Sequence, residues 1–127
     1  MALVTWSGSK ILITGDIEPE VQSELSREYD LNSVDVLKVP HHGSRYQDSG
    51  FLNEVLPEIA LVSVGAGNSY GHPNPELLAA LAKTGSRVFR TDEDGPISVA
   101  WRFDDSASRY IFTTRAMRKE WWKVQWR

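Results

Sequence analysis

The sequence contains no cysteine. Disulfides and thiolate metal sites are therefore excluded, and any bound metal must be held by His, Asp or Glu. It has only three histidines, His41, His42 and His72. No run of 18 or more apolar residues occurs, so nothing in it reads as a membrane-spanning helix. Positive charge is scarce as well: 14 Lys and Arg stand against 17 Asp and Glu, a net −3. The deficit is uneven. Residues 115–127 hold Arg115, Arg118, Lys119, Lys123 and Arg127 against Glu120, a balance of +4, which leaves −7 on the first 114 residues. A nucleic-acid-binding body is usually basic over one face, so the body argues against a broad DNA footprint. What remains is ordinary globular composition: 127 residues with 41% hydrophobic content supply one core and one domain.

Apolar runs alternate with turn and cap signals. Leu3–Trp6 and Lys10–Thr14 read as strands joined at Ser7-Gly8-Ser9. Pro19 suits the first turn of a helix on which Val21, Leu25 and Tyr29 share a face. Val34–Val39 is a short strand. Phe51, Leu52, Val55 and Leu56 repeat at helical spacing until Pro57. Ile59–Val64 reads as a strand buried on both faces, followed by the glycine-rich loop 65–71. Asn74 caps a helix with Pro75 at its first position, Leu77, Leu78 and Leu81 as its apolar face and Gly85 as its stop. Arg87–Arg90 is a strand, Asp92–Gly95 a turn, and Ile97–Phe103 pairs with Arg109–Thr114. The order implies an α/β fold, a mixed β-sheet with packed helices.

Candidate chemistry sits where the strands end. Gly15-Asp16 follows the second run, Pro40-His41-His42-Gly43-Ser44 the third, and Gly71-His72-Pro73 lies in the loop after the fourth. A carboxylate can bridge two divalent ions while neutral imidazoles donate terminal nitrogen lone pairs. Two such ions generate a nucleophile from water and clamp a phosphoryl oxygen. Blander readings stay open for each residue. Asp16 suits the dipole of the helix that follows, the His-His pair a solvated loop, and His72 a contact at a helix entry. Ser44 lacks the strand–Gly-x-Ser-x-Gly–helix setting of a nucleophile, and Gly65-Ala66-Gly67 places Tyr70 where a dinucleotide fingerprint needs glycine. The tail Trp121-Trp122-Lys123-Val124-Gln125-Trp126-Arg127 suits base stacking on single-stranded DNA, packing on another segment, or a mobile terminus.

Four ordered pieces share one resemblance: residues 12–18, residues 35–44, residues 63–73, and Arg90-Thr91-Asp92 with Gly95. Together they resemble the C-terminal half of the metallo-β-lactamase-like domain of ComEC-type competence proteins, membrane proteins that import DNA. The resemblance runs from residue 3 to about residue 103 and implies half of an αββα sandwich over residues 1–114, with 115–127 as a basic, Trp-rich tail. It also implies two divalent ions, Zn or Mn, in the intact domain. Asp16 would bridge them, His42 would bind one and His72 the other. His41 would face substrate or stand behind the ligands, which makes Asp16 and His41 the catalytic candidates.

The first half of that family's fold carries a His-x-His-x-Asp-His-type motif that this sequence does not contain. Each ion would keep two protein ligands from this chain, short of the three of a catalytic zinc site. The chain alone is therefore expected to bind metal weakly and to hydrolyse nothing. Strand character beginning at residue 3 leaves a sheet edge to be managed, so the chain is expected to be a piece of a longer protein, covered by the missing N-terminal half or by self-association. The resemblance places the parent in the plasma membrane, with this domain soluble on the extracytoplasmic side beside the membrane channel. The function expected of the parent domain is metal-dependent DNA hydrolysis; the rival is a non-catalytic module that guides DNA.

Overall fold

Parallel strands cannot be joined by hairpins, and the strand–helix alternation of this chain resolves into crossovers that lay its helices over one sheet. The computed structural model describes residues 1–6, 8–104 and 109–116. Strands β1 (Ala2–Trp6), β2 (Ser9–Ile13), β3 (Val36–Lys38), β4 (Ile59–Val62) and β5 (Arg87–Arg90) lie in that order across the sheet. Strand β1 is antiparallel to β2, and β2 to β5 are parallel. Helices α1 (Pro19–Glu28), α2 (Ser49–Val55) and α3 (Pro75–Lys83) form the crossovers. A single helical turn, α4 (Thr91–Asp94), leads to an antiparallel hairpin of β6 (Ile97–Asp104) and β7 (Arg109–Ala116). The fold is α/β with a mixed sheet, as the element order implies.

Register decides which side chains are buried. Leu12, Leu37 and Ala60 stand side by side and face the helices, packing with Val39, Val62, Phe51, Val55, Leu77 and Leu81 into the main core. The neighbouring row, Ile11, Val36 and Ile59, points to the other face. There it meets Leu61, Phe89, Val99 and Trp101, so the β6–β7 hairpin covers that face beside β3 to β5. At the β1–β2 end the cover stops: Val4, Ile13 and Trp6 are exposed, Trp6 to 67%.

Several element limits and one helix face differ from the sequence reading. Strand β4 ends at Val62 because the Val64 amide donates to the Thr91 hydroxyl (2.7 Å) instead of continuing the ladder. The turn at Asp92–Gly95 is a short helix closed by Gly95. Helix α2 stops at Val55, and Leu56, half exposed, takes a left-handed conformation before Pro57. On α1 the expected stripe of Val21, Leu25 and Tyr29 is corrected. Val21 and Tyr29 are exposed, Leu25 packs against the core, and the fully buried residue is Gln22. Periodicity misses it because a buried amide is stabilised by partners from elsewhere in the chain. The expected tail at 115–127 lies outside the described residues except for Arg115 and Ala116, which close β7.

The Gln22 side chain donates to the Ile17 carbonyl and to Gln47 Oε1, both at 3.0 Å, and accepts from the Asp48 amide at 2.8 Å. It thus ties α1 to the segment that carries Gln47. Gln22→Ala leaves the Asp48 amide and the Gln47 carbonyl oxygen without these partners, a loss of about 1–3 kcal/mol for such groups. Urea denaturation should show a lower midpoint with an unchanged slope; an unchanged midpoint would refute the bridging role.

Candidate functional site

Strands β2, β3 and β4 run parallel, so their C-terminal ends share one edge of the sheet, where α/β folds place their sites. Beyond the ladder, Thr14 Oγ1 donates to the Lys38 carbonyl (2.7 Å) and the His41 amide donates to the Gly15 carbonyl (3.1 Å). These bonds hold the Gly15-Asp16 turn against the segment bearing the histidines.

That segment is strained. His41 (φ 46°), His42 (φ 54°) and Gly43 (φ 80°) lie consecutively in the left-handed region. The conformation costs a non-glycine residue roughly 1–2 kcal/mol. Surrounding bonds hold it. Gln47 Nε2 donates to the Pro40 and Ser44 carbonyls (3.2 and 3.0 Å), the Ser44 amide to the His41 carbonyl (2.8 Å) and the Asn74 amide to the Gly43 carbonyl (2.8 Å). A Cβ on Gly43 would fall 2.7 Å from Pro73 Cβ and 3.2 Å from Val62 Cγ1, so the close approach requires glycine.

The turn sends its two histidines in different directions. His42 Nδ1 lies 2.6 Å from the Ser63 carbonyl, an acceptor only, so Nδ1 carries a proton and the neutral ring offers its lone pair at Nε2. Nε2 lies 3.6 Å from Asp16 Oδ1. Two ligands of one tetrahedral ion, each about 2.0–2.1 Å from it, stand roughly 3.4 Å apart. The pair suits two of an ion's ligands, and the backbone acceptor behind His42 is the support that metal-binding imidazoles commonly have. The same Asp16 oxygen lies 3.9 Å from Lys38 Nζ, which donates to the Gly15 carbonyl (3.3 Å). Burial pushes the Lys38 ammonium below its ordinary pKa, and the Asp16 charge opposes that shift.

His41 turns toward His72 instead, with ring centroids 5.8 Å apart and edge-to-face geometry. Its Nδ1 lies 2.9 Å from Glu18 Oε1 but makes no well-aligned hydrogen bond among the described residues, although it is buried. His72 shares a cleft of about 200 Å³ with His42, Val64 and Asn68. Asn68 shapes that loop: its Oδ1 accepts from the Tyr70 and His72 amides (3.2 and 3.3 Å), and its Nδ2 donates to the His72 carbonyl (2.7 Å). At the loop's start, Thr91 Oγ1 accepts from the Val64 amide and donates to its carbonyl, both at 2.7 Å. A bidentate Arg90–Asp92 pair (2.6 and 3.1 Å) braces the segment beside it.

All four residues expected at the site thus occupy one sheet edge as two neighbouring pairs, Asp16 with His42 and His41 with His72. Among the described residues no three His, Asp or Glu side chains converge as one ion's ligand set. Sequence reasoning assigned no role to Glu18, Lys38, Gln47, Asn68 or Thr91. Only Asn68 had a local signal, an asparagine in a glycine-rich loop able to bond nearby backbone amides.

No protein-family model matches the chain, and no solved structure matches it. Curated proteins do. It is 35% identical to ComE operon protein 3 of Bacillus subtilis (strain 168) over 105 residues, 80% of this chain and 14% of that protein. It is 36% identical to Competence protein ComA of Neisseria gonorrhoeae over 96 residues, 74% of this chain and 14% of that protein. It is 33% identical to Recombination protein 2 of Haemophilus influenzae (strain ATCC 51907 / DSM 11121 / KW20 / Rd) over 98 residues, 76% of this chain and 12% of that protein. The chain therefore spans about one seventh or less of the length of these relatives.

The Gly43 contacts yield a direct test. Gly43→Ala forces the new methyl against Pro73 and Val62 at a left-handed φ, and should lower stability by about 1–3 kcal/mol or more. Its denaturation midpoint measures this. Wild-type stability in the alanine variant would show that the turn relaxes freely.

Proposed function

We propose that this chain, a relative of the ComEC-type competence proteins, is part of a metal-dependent phosphodiester hydrolase acting on DNA during its uptake. The observation that carries the reading is the Asp16–His42 pair: a carboxylate oxygen and an imidazole Nε2 3.6 Å apart, the imidazole fixed from behind by the Ser63 carbonyl. A bound divalent ion there would supply Lewis acidity and a nucleophile at neutral pH. Asp16 and His42 would hold one ion, with Asp16 reaching a second that His72 would also hold. Zn and Mn both accept such oxygen and nitrogen donors. His41, beside Glu18, would face substrate and handle its protons. Lys38 would hold the Asp16 turn and offset negative charge near it.

Remaining ligands would come from another part of the longer protein. The exposed Val4, Trp6 and Ile13 on the sheet face beside β1 support that reading, since an apolar surface of this kind suits a covering layer. We infer that the cover is the N-terminal half of the domain, with self-association as its substitute when that half is missing. Among the described residues no helix is long and apolar enough to cross a membrane. The parent would be held in the plasma membrane by other segments, with this domain outside beside the channel. The second reading, a module that guides DNA without turnover, is favoured by the convergence of only two donors per pair.

The first of two measurements separates these readings, and the second tests the need for further ligands. In the longer protein, Asp16→Ala or His42→Ala should reduce Mn²⁺- or Zn²⁺-dependent DNA cleavage by more than about 10–100-fold, the loss that even an outer supporting residue brings. Full activity in both variants would sink the hydrolase reading. The 127-residue chain should give only weak calorimetric binding of Zn²⁺ or Mn²⁺, and a tight two-ion isotherm would show that it needs no further ligands.

A further inference from the structure

Beside the histidines lies a second cleft, of about 360 Å³, lined by Ser44, Arg45, Tyr46, Tyr70, His72 and Asn74 among others. It shares Tyr70 and His72 with the cleft that contains His42, so the two meet at those residues. Its volume falls at the lower end of the roughly 300–1,000 Å³ of small-ligand sites, enough for one nucleotide unit.

The lining is unusual for a surface otherwise poor in positive charge. Tyr70 is 82% exposed, yet its ring lies nearly parallel to that of His72 (19°, centroids 6.2 Å apart) and its amide is held by Asn68. Arg45 sits with its guanidinium carbon 4.7 Å from the centroid of the exposed Tyr46 ring and donates to the Tyr46 hydroxyl. That bond holds the guanidinium in one place and pushes its pKa above the ordinary value. A guanidinium has five N–H groups, so donors remain for an incoming anion beyond the one directed at Tyr46. A cation and exposed aromatic rings lining one cleft is the combination by which proteins hold single-stranded nucleic acid, one part meeting phosphate and the other a base.

We propose that this cleft is a nucleotide subsite for single-stranded nucleic acid, with Arg45 on a phosphate and Tyr70, aided by Tyr46, against a base. The proposal deepens the hydrolase reading and rests on it for the role of the bound strand: a nucleotide seated here leads the adjoining phosphodiester past His72 toward His42. Charge favours so small a contact. The −7 on the first 114 residues disfavours a broad phosphate footprint, whereas one guanidinium and one or two stacked bases need none. Bases stacked within a duplex do not offer their faces to a tyrosine, which commits the site to single strands.

The test reads binding in EDTA, so that cleavage plays no part. The probe is oligothymidylate carrying 5-iodouracil, photocrosslinked to the full chain, with the adducts located by mass spectrometry. Adducts on Tyr46 or Tyr70 are expected. Adducts confined to residues 117–127, or none, would overturn the proposal. By fluorescence anisotropy with unlabelled-base oligothymidylate, Tyr70→Ala should weaken binding about 5- to 150-fold, the loss of one stacked base, and Tyr70→Phe should restore it. Arg45→Gln should lower the salt slope by about 0.7, the contribution of one phosphate contact on a single strand. Equal binding of the matching duplex would also overturn the assignment. Loss of the crosslink with cleavage intact in the longer protein removes the subsite alone; a crosslink at Tyr70 without cleavage keeps the subsite and removes the hydrolase.

Discussion

The backbone of residues 41–43 is the constraint on which the candidate site depends. Three consecutive left-handed residues, two of them histidines, are unfavourable by roughly 1–2 kcal/mol for each non-glycine member. They persist because neighbouring segments hold them: the Gly15 carbonyl takes the His41 amide, Gln47 takes two carbonyls of the turn, and the Asn74 amide takes the Gly43 carbonyl. Each such bond contributes about 1 kcal/mol, enough together to offset the strain. The result is that successive histidines diverge, one toward Asp16 and one toward His72.

Support for that turn extends into the core. Gln22, buried in α1, fixes Gln47, and Gln47 fixes the turn, so the helix that follows Asp16 helps to set an imidazole direction. On the far side, Thr91 closes the end of β4 and Asn68 wraps the loop that carries Tyr70 and His72. The two halves of the edge are therefore positioned by different networks. The geometry is well supported from below and open toward solvent, with Asp16 60% exposed, which suits ligands or substrate arriving from outside the chain.

Local signals proved readable wherever their physics was local. Asn74 caps α3 through its own side chain, accepting from the Leu77 amide at 3.0 Å, while Pro75 and Gly85 mark the helix limits. Leu77 and Leu81 are buried as their spacing implied. By contrast, Val21 and Tyr29 follow the same helical spacing and remain exposed, because Gln22 has found partners on the segment after β3. The sequence extends β4 to Val64 for a similar reason: the Val64 amide bonds a threonine 27 residues away rather than the ladder. Neither partner is visible from the sequence neighbourhood.

Within the candidate site the division is the same. By itself the sequence indicated the candidate residues and which strand end bears each of them: Asp16 after β2, the histidine pair after β3, and His72 beyond β4. Alternating apolar runs and turn residues encode strand order locally, and parallel strands necessarily share an edge. Only the tertiary structure decided which residue faces which. It joined His42 to Asp16 and His41 to His72, brought Lys38 and Glu18 into the group, and set the Arg45–Tyr46–Tyr70 cleft beside it. Side-chain direction after a strained turn is set by long-range hydrogen bonds and close contacts, and those depend on segments distant in the chain.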